Sequence, residues 1–308
     1  MSVSELRQSA GADALAALPK LGAGVLYNPS LEGFVSSHLD TLDYLAIIPD
    51  RFWSDEPDEA RRYDELEPAV DLLDRVAAAR IPIVGHSVGL SIGSAEMFDT
   101  GHVEQLARWQ ARYAWPWHSE HLSFVRLPGA DAHTPVAAGL ALPVPYDHDV
   151  LEMIAARVEH VQARIPVPFL LENNVYYVDL PEQEMTEPEF LNALTARTGC
   201  GILLDVHNVV VNAVNHGFDA RDFVFALDLS RVVELHIAGG SEMAGMYTDS
   251  HSGPVAQAVW ELLDEVVAAA PNLAAITFEF GETWYPAMRD EGVNEELRRA
   301  RAAWDRHH

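Results

Sequence analysis

Histidine and carboxylate side chains follow several apolar runs in this chain, where they could bind metal ions. The clearest case begins at Gly201, where the apolar run ILL is followed at once by Asp205 and His207. An aspartate at the end of one strand is more often the N-cap of the next helix than a ligand. The same pattern recurs at six predicted strands. Helix capping alone therefore does not explain it.

The polar residues at these run ends are mostly the ligand types that iron, manganese and zinc prefer. They are His86, Glu120, His121, Glu172, Asn173, Asp205, His207, Asn208, His236 and Glu279, and the segment after the seventh run adds Asp249 and His251. One metal ion needs only three or four protein ligands. Burying this many carboxylates without cations would cost several kcal/mol each. We therefore expect two or three metal ions bridged by carboxylates.

Strand periodicity indicates which of these side chains share a face. Asp205 and His207 share one by the period of two, whereas Asn208 is expected to follow the strand into a loop. Glu120 is placed towards the metals, so His121 is expected on the opposite face, in a supporting role. Asn173 could either bind metal or orient substrate. The later polar residues of this segment, Asn212, Asn215 and His216, are expected to hold that loop.

The elements that must position these side chains alternate between short apolar runs and longer amphipathic segments. The predicted strands are Gly22–Tyr27, Asp43–Ile48, Ile81–His86, His118–Val125, Pro168–Glu172, Gly201–Asp205, Val232–Ile237 and Ala274–Phe280. The predicted helices are Leu31–Asp40, Asp64–Arg80, Val103–Ala114, Asp149–Arg164, Pro188–Thr198, Ala220–Leu229, Val255–Ala269 and Asn294–Arg306.

Eight such units in roughly 300 residues favour a (β/α)8 TIM barrel over an open sheet of about six strands. We expect one domain over residues 1–308, with no linker. The segment Leu127–Tyr146 is rich in Pro, Ala and Gly and is expected to be a loop over the barrel mouth. In a TIM barrel the carboxyl ends of the strands form the active site. All the run-end side chains would then face one mouth.

Composition narrows the class of partner. The chain has 20 basic and 47 acidic residues, with a formal charge of −27, so nucleic acid is not expected as a partner. No apolar run approaches the ~20 residues that cross a bilayer. The N-terminus lacks the features of a secretory signal, so we expect no membrane association and a cytoplasmic location. The single cysteine, Cys200, excludes an internal disulfide.

Taken together, the motifs resemble those of the multinuclear non-haem iron-dependent oxidases, a family that includes the methanobactin biosynthesis oxidase. They are HSVGLSIGS from His86, SEHL from Ser119, LEN from Leu171, LLDVHNVVVNAVNHGF from Leu203, LHIAG from Leu235, DSHSGPV from Asp249, and Glu279. The resemblance implies a xylose-isomerase-like TIM barrel with two or three iron ions (Fe2+/Fe3+) and dioxygen as co-substrate. It implies oxidation of cysteine or another side chain in a ribosomally made precursor peptide, whose leader a partner protein commonly presents.

Carried over residue by residue, the resemblance implies an iron-binding set, with Asp249 and His251 also in catalytic roles. The set is His86, Glu120, Glu172, Asp205, His236, Asp249, His251 and Glu279, flanked by Asn173, His207, Asn208 and His121. Two departures stand out. Where the family usually has an acidic residue in strand two and then a Glu-Asn-aromatic turn, this chain has Ala46 to Phe52, and Gly240 stands where a second histidine is frequent.

Other functions fit the same ligand order. It also resembles apurinic endonucleases and sugar isomerases, which use zinc or manganese for hydrolysis or isomerisation. The negative charge argues against DNA, and many isomerases need a lysine near the metals, whereas Lys20 is the only lysine. A third hypothesis, suggested by the departure at Ala46 to Phe52, is a metal-binding, non-catalytic barrel that binds peptides.

Overall fold

A closed barrel of eight parallel strands forms the centre of the computed structural model, which describes residues 11–54, 62–127 and 136–308. In order around the barrel the strands are β1 (Gly22–Leu26), β2 (Leu45–Ile47), β3 (Ile83–Ser87), β4 (His118–His121), β7 (Phe169–Glu172), β8 (Gly201–Asp205), β9 (Val232–Ile237) and β12 (Ala275–Phe278). Every neighbouring pair is parallel and β12 closes onto β1. The predicted TIM barrel is confirmed.

Helices follow the strands and cover the barrel. They are α1 (Glu32–Ser37), α2 (Glu67–Ala78), α3 (Thr100–Tyr113), α4 (His148–Arg164), α5 (Glu187–Thr198), α6 (Val206–His216), α7 (Ala220–Ala226), α8 (Gln257–Ala269) and α9 (Tyr285–Asp305). Helix α5 begins with a capping box between Thr186 and Glu189. Among the described residues no helix combines the length and the apolar character needed to cross a membrane.

Alternation along the strands divides the core into two clusters. The outward side chains pack with the helices in the larger cluster. A smaller cluster fills the barrel interior and includes Tyr44, Ala46, Val84 and Trp117. Gly24 leaves room for the Tyr44 ring, since a Cβ on Gly24 would lie 2.6 Å from that ring. The apolar interior closes the barrel below the strand ends, so the polar residues lie above it.

Two hairpins lie outside the barrel, and the sequence predicted neither. The predicted strand His118–Val125 is divided, because β4 ends at His121 and Ser123–Leu127 (β5) pairs antiparallel with Val136–Pro143 (β6). The predicted loop Leu127–Tyr146 therefore contains a strand, and its residues 128–135 lie outside the described part of the chain. Ser241–Met243 (β10) and Met246–Thr248 (β11) form the second hairpin, after β9.

The segment after β8 also differs from its prediction. Instead of a loop, helix α6 begins at once after Asp205, whose side chain accepts a hydrogen bond from the Asn208 backbone N–H. Asn212 and Asn215 then hold neighbouring segments from this helix, since each exchanges hydrogen bonds with backbone groups of another loop. The abrupt switch from strand to helix turns His207 towards the barrel mouth.

Candidate metal centre

Glu172, the last residue of β7, lies among three imidazoles. Its Oε2 is 3.3 Å from His86 Nε2 and 3.0 Å from His121 Nε2. Its Oε1 is 3.1 Å from His236 Nδ1. Glu172 and His236 are at most 1% exposed. One carboxylate therefore joins histidines from three strands.

Glu279 continues this arrangement across the mouth. Its Oε1 lies 2.8 Å from His236 Nδ1, and its Oε2 lies 3.3 Å from His251 Nε2. His251 Nε2 is also 3.0 Å from Asp249 Oδ1, and the same oxygen is 3.5 Å from His207 Nε2. We call these residues, with Asp205, the barrel-mouth cluster: His86, His121, Glu172, Asp205, His207, His236, Asp249, His251 and Glu279.

Several of these side-chain atoms are buried and make no hydrogen bond of normal geometry, although they lie close to one another. They are Glu172 Oε2, His207 Nδ1 and Nε2, His236 Nδ1, Asp249 Oδ1 and Glu279 Oε1. Buried polar atoms normally have partners, and an exception points to an ion or a functional role. Three groups in the described part of the chain bring one atom from each member within 4.8 Å: His86 with His121 and Glu172, His86 with His236 and Glu279, and Glu172 with Asp205 and His236. Because these groups share members, they suit several bridged metal ions.

Burial and the neighbouring charges shift the pKa values of the cluster's side chains in opposite directions. Burial, together with the charges of Glu172, Asp249 and Glu279, raises the pKa of Asp205 well above its usual range. Burial lowers the pKa of His251, but Asp249 and Glu279 more than compensate and raise that pKa to about 10. Burial lowers the pKa of His207 to about 4. Asp205 therefore favours its protonated form, and a bound cation would replace that proton. Burial would also raise the pKa of Glu279, but His236 and His251 lower it.

Two neighbours on β4 face opposite sides, and the structure reverses the predicted orientation. His121 faces the cluster, on the same side as Ser119, whose hydroxyl lies 2.9 Å from His86 Nδ1. Glu120 points away, and its carboxylate accepts hydrogen bonds from the backbone N–H groups of Leu90 and His121, each at 3.0 Å. The structure therefore brings His121, rather than Glu120, to the barrel-mouth cluster.

Asn173 and Asn208 are held by backbone groups. The Asn173 side chain accepts a hydrogen bond from Asp205 N at 2.8 Å and donates one to Asp205 O at 3.0 Å. Asn208 Nδ2 donates to Asn173 O at 3.2 Å. Together they join the ends of β7 and β8, which holds Glu172 beside Asp205.

Glu234, which the sequence reasoning did not select, supports His236 from inside the barrel. Its Oε1 is 3.3 Å from His236 Nε2 and accepts a hydrogen bond from Thr277 at 2.6 Å. Its Oε2 accepts one from Trp117 Nε1 at 2.7 Å. A carboxylate on one ring nitrogen orients the other nitrogen towards a metal. The Glu-x-His spacing within one strand, which places both side chains on one face, could have revealed this pair.

The loop that carries Asp249 and His251 is fixed by neighbouring backbone groups. Asp249 N donates to the Tyr177 hydroxyl at 3.0 Å, and Ser252 N donates to Gly239 O at 2.7 Å. A side chain at Gly240 would meet Tyr247 and the Thr248 carbonyl at 2.7 Å. The hairpin therefore leaves no room for the second histidine that is frequent at Gly240.

The segment Ala46 to Phe52, which departs from the family pattern, contributes Asp50 to a separate polar cluster beside the mouth. The Asp50 carboxylate accepts hydrogen bonds from the N–H groups of Val88 at 3.2 Å and Gly89 at 3.1 Å and from the Ser87 hydroxyl at 3.1 Å. It is 2.9 Å from His102 Nε2. Burial alone would raise the pKa of Asp50, but His102 and the backbone donors lower it. We call this group the Asp50 cluster.

Comparison with known proteins places most of the chain in one family. Residues 22–304 match the family model described as RiPP precursor modification enzyme MbnB/TglH/ChrH. A UPF0276 protein of Rhizobium meliloti is 35% identical over 232 residues, which cover 73% of this chain and 72% of the relative. A UPF0276 protein of Caulobacter vibrioides is 30% identical over 278 residues, which cover 90% of this chain and 91% of the relative.

Solved structures with the same fold are more distant in sequence. The IOLI protein, solved with a zinc atom bound, has a TM-score of 0.56 at 14% identity, with 93% of this chain and 99% of that chain covered. D-psicose 3-epimerase from Clostridium cellulolyticum has a TM-score of 0.54 at 14% identity, with 92% and 97% covered. These neighbours are xylose-isomerase-like TIM barrels. At such low identity they establish the fold alone.

Proposed function

Because the chain belongs to the MbnB/TglH/ChrH family of RiPP precursor modification enzymes, we propose that it is an iron-dependent oxidase. In this proposal it uses dioxygen to modify a cysteine side chain of a ribosomally made precursor peptide. The observation that carries the proposal is the position of Glu172 and Glu279, which both reach His236 and each reach further histidines. Such shared carboxylates suit more than one metal ion.

The residues of the barrel-mouth cluster fit two or three iron ions. Their ligands are imidazole nitrogens and carboxylate oxygens, which suit non-haem iron. Buried atoms without partners, such as Glu172 Oε2 and His236 Nδ1, support the fit. The proposed ligands are His86, His121, Glu172, Asp205, His236, Asp249, His251 and Glu279, with His207 beside Asp249 and Glu120 outside the set.

Bound iron would supply the one-electron chemistry with dioxygen that no protein side chain here provides. The protein's own part is to orient ligands and to admit the peptide. His251 and His121 are the most exposed imidazoles of the cluster, with side chains 31% and 23% exposed. The substrate side chain would therefore approach between them. Asp249 holds His251 at this entrance, which is the catalytic role we assign to the pair.

The proposed partners are the precursor peptide and a protein that presents its leader. The charge of −27 favours basic peptide segments over nucleic acid. A cytoplasmic location, where such peptides are made, belongs to the same proposal.

The position of Lys20 argues further against the sugar isomerase alternative. Lys20 lies just before β1, and its Nζ bonds to the carbonyl of Leu273, just before β12. Both positions are at the amino ends of the strands, whereas the barrel-mouth cluster lies at their carboxyl ends. The only lysine of the chain therefore does not reach the metal-binding residues.

Elemental analysis with Mössbauer spectroscopy tests the proposal on protein expressed with added iron. We expect two or more irons per chain with magnetic coupling between them. Zinc or manganese alone, with no iron bound after anaerobic reconstitution, would move the assignment to a hydrolase or isomerase. Iron that is retained without dioxygen uptake in the presence of a precursor peptide would favour the non-catalytic barrel.

A further inference from the structure

A second cavity lies outside the barrel, next to its mouth, and contains a buried carboxylate. The cavity has a volume of about 510 Å³ and lies between the N-terminal ends of α5 and α7. Its walls include the rings of Tyr146, Tyr176, Phe218 and Phe223. Its size is that of a pocket for a small molecule or a large side chain.

Glu187, the first residue of α5, lines this cavity, and its carboxylate oxygens are buried beside it. The residue is 5% exposed, and neither carboxylate oxygen has a hydrogen-bond partner of normal geometry. The Tyr146 phenol is the polar side chain that interacts with it. No arginine, lysine or histidine of the described segments forms an ion pair with Glu187 or contributes to its electrostatics. Burial raises the pKa of Glu187 to about 8.

The rim of the cavity is acidic. Asp179, Asp219 and Asp222 all line it, and all three are exposed. Asp179 pairs with His216 at 2.8 Å, and Asp219 caps α7. Carboxylates at the entrance attract cations and repel anions. The rim and the buried Glu187 therefore select the same charge.

From these observations we infer that the cavity is a binding site for a protonated primary amine on an apolar stem. The hydrocarbon stem would lie against the aromatic walls, and the Glu187 side chain would turn from Tyr146 into the cavity to pair with the ammonium group. Tyr146 and Tyr176 line the cavity, and a cation interacts favourably with the face of an aromatic ring. A neutral ligand of the same shape would leave the carboxylate without a partner.

The cavity adjoins the barrel-mouth cluster through two consecutive residues. Tyr176 lines the cavity, and Tyr177 accepts the hydrogen bond from Asp249 N. A peptide whose reactive residue enters the mouth could therefore place a nearby lysine in the cavity. This occupant rests on the proposed function, whereas the amine site itself does not depend on it. A free small amine has the same chemistry.

Calorimetric titration of the wild-type protein with phenethylamine and with phenethyl alcohol tests the site without metal or activity. We expect the amine to bind about tenfold more tightly than the alcohol, or better, because of its ion pair. Equal affinity of the two compounds, or no binding by either, would overturn the inference. This comparison needs no variant.

A pair of variants on one helix then locates the site. Glu187→Gln keeps the side-chain size and should weaken amine binding by about tenfold or more. Glu189→Gln is the matched control, because Glu189 is exposed, bonds to Thr186 and does not line the cavity. Equal affinity in Glu187→Gln and wild type would place the amine elsewhere and contradict the assignment.

Two further ligands distinguish the sources of the amine. Nα-acetyl-lysine amide represents a peptide lysine, and its norleucine counterpart lacks only the amine. Binding of the lysine compound but not the norleucine one assigns the cavity to peptide lysines. Binding of phenethylamine alone assigns it to free amines, which keeps the amine site and excludes the peptide role. If the elemental analysis found no iron, the results expected from these titrations would stay the same.

Discussion

Two groups of carboxylates lie at or beside the barrel mouth, and they differ in what they contact. In the barrel-mouth cluster, Glu172 and Glu279 contact imidazole nitrogens. In the neighbouring Asp50 cluster, and at Glu120, the carboxylates accept hydrogen bonds from backbone amides. The first group is arranged as metal ligands are, whereas the second accepts hydrogen bonds from the protein itself.

The difference shows that burial of a carboxylate is a poor sign of metal binding. Glu120 and Glu172 are each 1% exposed and lie on adjacent strands. Only the contacts separate them. A carboxylate that receives N–H groups has protein donors on its oxygens, whereas one that faces imidazoles is placed to bind a metal together with them. The following predictions test this separation.

Removing the metals should have the largest effect. Chelation would leave the buried carboxylates facing one another without cations, and Asp205 would take up a proton because burial and the neighbouring carboxylates raise its pKa. We expect the free energy of unfolding to fall by about 3–4 kcal/mol, the value for a ligand present at several hundred times its Kd. Urea unfolding with and without a chelator measures it. Identical unfolding midpoints would contradict a metal-filled cluster.

Replacing one carboxylate in each group should affect metal affinity in one group and leave it unchanged in the other. Glu172→Gln removes a shared ligand, so we expect metal affinity to fall on the order of a hundredfold or more, beyond the ten- to hundredfold typical of supporting residues. Glu120→Gln is the matched control and should keep the wild-type metal content. Elemental analysis after dialysis measures both. Equal metal loss in the two variants would place Glu120 among the ligands.

Glu234 should have an intermediate effect on the metals. Glu234→Gln weakens the contact that orients His236, so metal affinity should fall by about ten- to hundredfold. Competition with a chromophoric chelator measures the affinity. Thr277→Val, which removes a hydrogen bond to Glu234 without touching His236, should have a smaller effect. If Glu234→Gln binds metal like the wild type, Glu234 only stabilises the hydrogen bonds of the barrel interior.

Asp50 should affect stability and leave the metals unchanged. Asp50→Asn weakens several hydrogen bonds to a charged acceptor, at a cost of about 1–3 kcal/mol near neutral pH. Because the native pKa of Asp50 is lowered, its contribution is present above the ordinary aspartate pKa and is lost as the pH falls through the native pKa. The stability difference between wild type and variant should therefore shrink in acid.

Urea unfolding between neutral and acidic pH measures this dependence, and elemental analysis of the same samples gives the metal content. A constant stability difference at all pH values would show that the charge of Asp50 is not involved. Loss of metal in Asp50→Asn would show that the Asp50 cluster also supports metal binding.

The fold was largely predictable because each βα unit has its own local signal. The predicted strand Gly201–Asp205 matches β8, and the predicted helix Pro188–Thr198 lies within α5. Short irregular elements were missed, among them β10 and β11. Their three-residue strands have too little periodicity to distinguish them from a loop.

The orientation of β4 was mispredicted for a physical reason. Its sequence HSEH has polar residues on both faces, so alternation does not indicate which face is inward. The register with β3 and β7 decides it, by pairing His86 with Ser119 and His121 with Glu172. His121 then faces the mouth and Glu120 faces the Leu90 amide.

The sequence by itself determined the alternation of elements and the types of side chain at the strand ends, because both depend on residues close together in the chain. Only the tertiary structure decided which carboxylates meet imidazoles. Glu172 contacts His86, His121 and His236, which belong to three other strands. Barrel closure and strand register bring these distant segments together, and no local pattern encodes either.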